Sequence, residues 1–458
     1  MLTGRYGLYT FILNLGITLF GINLFVVATI MPTVVADLGG VGYYTWAFSL
    51  FAVGSIIGAA GAGPLREAIG VRGTYVGAGL VLALGLAGSA LADSMPTFVA
   101  WRLLQGIGGG AIGSLAYALV ASIFPERLRS RELSIVSTIW AIATVGGPGL
   151  GGLFATPGTW RNAFWLLMAL TLVFAWMAAR YVEGERGHGA LSRLPYARLA
   201  LLAVAVLLLS STSLTRHPSF QALLVATAMV ATVTAFRRDA SAETSIFPRQ
   251  VTVITSELGA TFWIFFLVSM VLAFTNTYTT LYLQKLHGIT PLTAGYLFSI
   301  QSLMWTVSAL VVADLRSSLL PAAIIAGLVL VVLSSIAVAV TVATGPVSVI
   351  FAALFVSGLG MGVLNNPAIQ HIIAVAPPGE QRTAGASVQA IRNIGLAFGA
   401  AAAGMVAAGA GLDDNAEVAT VARAMRWVFA VNVAVSASAL AVAIWMFVRR
   451  GRPDPARK

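Results

Sequence analysis

This sequence predicts an all-α integral membrane protein, and three observations carry the prediction. Charged residues are 9% of the 458-residue chain and apolar residues 58%, whereas a soluble domain has about 25% charged residues. Apolar runs of about twenty residues recur from end to end, each long enough to cross a bilayer as a helix. The basic residues between those runs gather in alternate connections, as the positive-inside rule requires.

In order, spans are expected at residues 8–35, 43–63, 73–92, 97–123, 133–155 and 161–181. A pair follows at 199–214 and 219–236, then 259–283, 291–313, 319–343, 346–376, 385–410 and 425–448. That makes fourteen. The middle pair is the weakest, because sixteen residues of helix reach only about 24 Å. If it lies on the surface the count becomes twelve and the parity is unchanged. The first run, Tyr6 to Asp37, is too long for a signal-peptide core and is expected to stay in the membrane.

Even parity puts both termini on one side. With that side cytoplasmic, Arg66, Arg72, Arg127, Arg129, Arg131, Arg186, Arg237, Arg238, Arg449 and Arg450 all fall inside. The net charge of +11 is then topological. Its expected contacts are anionic lipid headgroups, not nucleic acid. Lysine occurs only at Lys285 and Lys458; the preference for arginine fits a GC-rich bacterial genome and an inner-membrane location.

Two pseudo-symmetric six-helix bundles are expected, at 1–182 and 257–458, the second with a cytoplasmic tail. Residues 183–256 supply polar linkers, from EGERGHGALSR onward, and the inserted two-helix hairpin. The halves echo one another. Gly106, Gly108 and Gly110 precede PERLRSREL, as Gly358, Gly360 and Gly362 precede PGEQRTAGAS. Repeats of this kind build many secondary transporters, with the substrate site between the halves.

Glycine carries the most distinctive signals. Gly108, Gly110 and Gly113 have GxGxxG spacing, but no strand precedes them, so close helix packing is the better account than a dinucleotide loop. The stretch VGGPGLGGLF, Val145 to Phe154, lies mid-span, where a loop would strand backbone amides in hydrocarbon. No GxxxxGK[ST] occurs, which excludes an ATP-driven pump working by its own chain. Pro148 is expected to kink this helix, and Gly147, Gly151 and Gly152 to make it a thin sliding face.

These stretches resemble the major facilitator superfamily. GPGLGG at 147–152 is similar to its antiporter motif. Gly63, Leu65, Glu67, Gly70 and Arg72 resemble the loop between its second and third helices. Arg102, Gln105, Gly106 and Gly108 resemble its fourth-helix motif. LFVVATIMPTVVADLGG (24–40) and VQAIRNIGLAFG (388–399) look like the drug/proton antiporter branch with fourteen helices. The resemblance implies alternating access by two rocking bundles, multidrug efflux, and a cytoplasmic latch at Gly63, Glu67, Gly70 and Arg72. Arg392, near the inner end of its span, is expected to snorkel or to pair with the loop carrying Glu67.

Two departures matter. Glu67 stands where the motif usually has aspartate. Asn23 stands where this branch usually places a first-helix aspartate, and an amide cannot titrate. No acid lies near mid-membrane by position: Glu132 and its neighbours fall at the inner boundary, Asp37 at the outer one. Protons as coupling ion therefore rest on resemblance alone, leaving an interfacial carboxylate such as Asp37 or Glu257, uniport, or a substitution that abolishes coupling.

Arg102 needs a partner or water, since a charge at a helix centre costs about 2.5–3.5 kcal/mol on insertion scales. It is expected either to bind carbonyls of a broken neighbouring helix or to line a cavity. The cavity is expected to draw on Asn23, Arg102, Trp140 (beside Ile139), Asn276, Tyr278, Gln301 and Trp305, with Phe274 nearby. Aromatics with a few polar groups suit a lipophilic or cationic small molecule. His371 is expected to be a packing histidine.

No cysteine occurs and the four histidines are scattered, so no metal site, cofactor or catalytic cluster is expected, and an enzyme is excluded on that inventory. The reading is an exporter of lipophilic small molecules that works as a monomer. The competing readings are an exporter or uniporter of one metabolite or lipid, and a non-transporting receptor or scaffold.

Overall fold

The computed structural model of the chain describes residues 4–450, apart from 125, 157, 183–195, 216, 243, 244, 246 and 314. The polar stretch after Val182, the tail beyond Arg450, and the side chains of Arg127, Arg129, Arg131, Arg449 and Arg450 lie outside the described residues.

Thirteen α-helices make up the described fold. They are α1 (Gly4–Leu38), α2 (Trp46–Leu91), α3 (Met95–Ile123), α4 (Glu126–Phe154), α5 (Trp160–Tyr181), α6 (Tyr196–Ser211) and α7 (Pro218–Ala240). After them come α8 (Glu257–Lys285), α9 (Pro291–Val311), α10 (Leu320–Thr341), α11 (Val347–Val375), α12 (Gln381–Gly409) and α13 (Val418–Arg450). Proline opens α3, α7, α9 and α10, where its missing N–H costs nothing and its fixed φ suits the first turn. Ser256 and Thr290 cap α8 and α9 by accepting from Gly259 N and Thr293 N.

Twelve helices among the described residues are long and apolar enough to cross a membrane, against the fourteen spans expected. The middle pair is not the cause. Ala197–Leu214 and Pro218–Ala240 both qualify, a 3-10 turn at Thr212–Leu214 lengthening the first. The difference arises elsewhere. The expected spans at 43–63 and 73–92 are one continuous element, α2, and the described apolar part of α4, Thr138–Phe154, is too short to qualify.

The expected loop from Gly63 to Arg72 is thus helical, through Pro64, except at one residue. Gly70 leaves helix geometry at φ 76° and ψ 171°, a conformation that side chains with a Cβ rarely adopt. A straight helix of 46 residues would be about 69 Å long. Instead both arms pack on the same stretch of α3: Gly54 and Gly58 lie against Leu103 and Ile107, while Leu82 and Gly85 lie against Gly108 and Gln105. The chain doubles back at Gly70.

Helices α1 and α4 run parallel and in register. Thr10 bonds Glu132, and Thr33 bonds Ala155 O, both at a sequence offset of 122. Between these ends Gly21 meets Ala143, Gly147 meets Phe25, and Gly151 meets Thr29. Small residues alternate with larger ones along the seam, which is how helices approach closely where lipid supplies no hydrophobic drive. Further along the chain, α8 packs on α12 and α13, α9 and α10 on α11, and α6 on α7. An Arg198–Asp239 ion pair joins the last two.

Candidate functional site

The glycine stretch of α4 lies between α1 and α9. Gly147 and Gly151, one turn apart, face α1: a Cβ on Gly147 would stand 2.4 Å from Phe25 Cβ. Gly149 and Gly152 face α9, where added Cβ atoms would stand 2.9 Å from Tyr296 Oη and 2.6 Å from Leu292 Cβ. Pro148 fills the space beside Gly295 of α9. The four expected sliding residues therefore divide, Gly147 and Gly151 toward α1, Pro148 and Gly152 toward α9. Gly149 joins the second pair.

Further contacts join α1–α4 to α8–α12 at the end where α1 and α8 finish. Phe25 meets Phe298. Thr280 Oγ1 donates to Ala28 O at 2.5 Å and Gln284 Nε2 to Thr29 O at 3.3 Å. Gly404 abuts Thr45, and Val41 N donates to Asp414 at 2.6 Å. Tyr44 and Tyr278, both fully buried, stack with centroids 5.5 Å apart. Tyr278 and Phe274 are thus part of a closed seam, not the exposed lining expected of a substrate contact.

Arg102 is wholly buried. Its Nε donates to Ala47 O at 3.1 Å, and its Nη1 donates to Gln105 Oε1 at 2.5 Å and Asn23 Oδ1 at 3.2 Å. The guanidinium lies 4.2 Å from the Phe51 ring centroid. Gln105 passes the network on to Gly85 O and Ser89. Arg102 joins the start of α2 to α1 and α3, and both it and Asn23 are buried. Trp140 likewise packs on α1, edge-on to Phe20.

A narrow pocket of about 20 Å³ lies among α8, α9, α11 and α12. Phe265, Leu272, Trp305, Met361, Asn365 and Arg392 are among its lining residues. The Arg392 guanidinium stands 6.0 Å from the Trp305 ring centroid and donates to Gln389 Oε1 at 2.5 Å. Arg392 therefore lines this cavity and makes no pair with Glu67. Arg72, the other latch residue, donates to Val182 O at 2.6 Å, tying α2 to the end of α5. Gln301 is buried and donates to Ser357 on α11, Asn276 is half-buried, and His371 is buried beside Phe447. Of the predicted cavity residues only Trp305 lines this space.

One acidic residue was missed. Glu132 is fully buried, its two oxygens accepting from Thr10 Oγ1 and Asn14 Nδ2, each at 2.8 Å. Its place in PERLRSREL suggests a solvated boundary. The opposing T-x-x-x-N on α1, polar residues one turn apart in an apolar helix, was the available signal. Asp37, by contrast, is held by Trp160 Nε1 at 2.9 Å and Arg161 at 2.7 Å.

With this geometry in hand, relatives and solved structures agree on the class. The Major Facilitator Superfamily model matches residues 13–400 and 321–458. A Mycobacterium tuberculosis protein described as a probable multidrug-efflux transporter is 32% identical over 420 residues, 88% of each chain. The methylenomycin A resistance protein of Streptomyces coelicolor is 28% identical over 75% of this chain and 74% of its own. The fold matches an inward-facing, unoccupied bacterial homologue of the human lysosomal transporter Spinster, with TM-score 0.70 at 14% identity over 99% of each chain. It also matches the human organic anion transporter MFSD10, with TM-score 0.63 at 16% identity over 96% of this chain and all of that one. These are transporters of small molecules, not enzymes, and the chain is a multi-pass membrane protein that belongs to the major facilitator superfamily.

Proposed function

We propose that the chain exports lipophilic small molecules across the cell membrane by alternating access. Residues 1–182 and 257–458 are the two moving bodies, and α6 and α7, within 183–256, form the inserted pair. Counting α2 as two crossings and α4 as one gives the fourteen of the drug/proton antiporter branch, with both termini cytoplasmic.

The observation that carries the reading is the α4–α9 seam. Gly152 meets the backbone of Leu292 and Gly149 admits the Tyr296 hydroxyl, so the two bodies meet closely at the end where α1 finishes, which the basic connections make the outer end. Every cross-body contact named above lies toward that end, so the conformation is closed outside and poised to load from the cytoplasm. Small residues let the seam part without dislodging interlocked side chains. The similarity to a probable multidrug-efflux transporter supports drug-like substrates.

The apolar lining with Trp305 favours a lipophilic ligand. Its charged member is Arg392, which favours an anion over a cation and gives one second reading its footing: export of a specific acidic metabolite or lipid. Efflux from proteoliposomes of ethidium, a lipophilic cation, and of anilinonaphthalene sulfonate, a lipophilic anion, tests both. Movement of either above protein-free vesicles supports export, and movement of neither contradicts drug-like export.

A further inference from the structure

Resting on the alternating-access reading, we infer that the inserted pair α6–α7 moves with the C-terminal body. Trp46 and Ser49 of the N-terminal body clasp the outer tip of that pair, and the clasp is a catch on the outer gate.

The base of the pair is fastened to α8. Asp239 of α7 takes both the Arg198 guanidinium of α6 and the N–H of Phe247, the latter at 2.9 Å. Phe247 packs on Phe236 of α7 with ring centroids 5.1 Å apart. The chain then lies directly on the first turns of α8: a Cβ on Gly259 would stand 2.2 Å from Val253 O, and Trp263 Nε1 donates to Thr252 O at 3.2 Å. Toward the outer side, Leu202, Val206 and Leu209 of α6 share one apolar core with Ile394, Phe398 and Ala401 of α12. Base and flank together make α6 part of the C-terminal body.

Towards the N-terminal body α6 is held differently. Along its length it faces Val53, Ile56 and Ile57 of α2 across a narrow, wholly apolar gap. Such a contact can part without stranding polar groups. The polar links gather at the outer tip. Trp46 Nε1 donates to Ser210 O at 3.0 Å and to Ser213 Oγ at 3.3 Å. The Ser49 and Ser210 hydroxyls bond at 3.0 Å, and Ser213 Oγ donates to Gly42 O at 2.7 Å.

Ser49 and Ser210 are fully buried, where a hydrogen bond is strong and an unmade one costly. The clasp is nevertheless reversible. Ser49 Oγ lies 3.5 Å from Trp46 O, and Ser213 Oγ lies 2.8 Å from Ser210 O. Each of these hydroxyls therefore keeps an acceptor on its own body when the tip withdraws. The Trp46 indole, beside Tyr43 at the outer start of α2, can give its N–H to interfacial water. Rotation of one body against the other at the outer end breaks the links together.

The test uses the full chain, which has no cysteine of its own. Ser49→Cys with Ser210→Cys puts two sulfurs where hydroxyl oxygens stand 3.0 Å apart, about 1 Å beyond disulfide bonding distance. Oxidation in proteoliposomes should cross-link them and lower ethidium or anilinonaphthalene sulfonate efflux by about tenfold or more, and reduction should restore it. A pair that does not cross-link, or full efflux by the cross-linked protein, overturns the inference. Trp46→Phe keeps an aromatic ring and removes the N–H. In that background Asn276→Cys should react with maleimide from outside about tenfold faster than in the wild-type background, the scale of two lost hydrogen bonds. Ser213→Ala should accelerate labelling in the same direction by less. Unchanged labelling in both variants overturns the clasp. If the wild type moves neither dye, export fails as a reading, and the labelling rates alone decide the clasp.

Discussion

Tyr44, in the turn that leads into α2, and Tyr278 on α8 stack face to face, with ring centroids 5.5 Å apart and planes 6° from parallel. They belong to opposite bodies, and neither ring meets solvent. On the proposed alternating-access cycle, the stack is a closure that breaks each time the outer end opens.

An aromatic pair contributes about 0.5–1.5 kcal/mol beyond its burial, so Tyr44→Ala should shift the open-to-closed ratio by about tenfold. Maleimide labelling of Asn276→Cys from outside, in a chain that has no cysteine of its own, should accelerate by that factor. Tyr44→Phe should label at the wild-type rate.

The two faces of α4 separate folding from cycling. A leucine at Gly147 would collide with Phe25 inside one body. Overpacking of that kind costs about 1–3 kcal/mol, so Gly147→Leu should lower the melting temperature in detergent. Gly152→Leu instead meets Leu292 across the seam. It should melt near the wild-type temperature while its outer end stays open to maleimide.

Arg102 should behave as a structural residue. Arg102→Ala leaves Ala47 O, Asn23 Oδ1 and Gln105 short of a donor, at about 1–3 kcal/mol for each group left unsatisfied. Folded yield should fall with transport, and Arg102→Lys should not restore it, because an ammonium lacks the planar fork. Loss of transport at full folded yield would return Arg102 to the cavity.

Arg392 is the charge that should select substrate. Arg392→Ala should reduce anilinonaphthalene sulfonate efflux by about tenfold, the scale of one ion contact in a partly wet site, and leave ethidium efflux equal or faster. Equal effects on both dyes would show that the guanidinium only supports Trp305.

Much of this architecture is legible in the sequence because bilayer length and glycine periodicity are local properties. The helices, their order and the placement of Val145 to Phe154 at a helix–helix seam follow from runs that any window of twenty residues reveals. What sequence hides is which neighbour each face meets. GPLREAIGVR reads as a loop, yet only Gly70 leaves helix geometry and Pro64 lies within the helix. Arg102 and Arg392 look alike as charges in spans, and only packing shows one sealed among carbonyls and the other beside Trp305. Glu132 reads as boundary charge because its partners lie 118 and 122 residues away.

The seam between Gly152 and Leu292 is the most direct place to test alternating access. With Gly152→Cys and Leu292→Cys as the sole cysteines, Cβ positions 2.6 Å apart need about 1 Å of give to reach disulfide geometry. Oxidation should form the bond, hold the outer end shut and abolish dye efflux from proteoliposomes, and reduction should restore it. Full efflux by the oxidised, cross-linked protein would contradict the account.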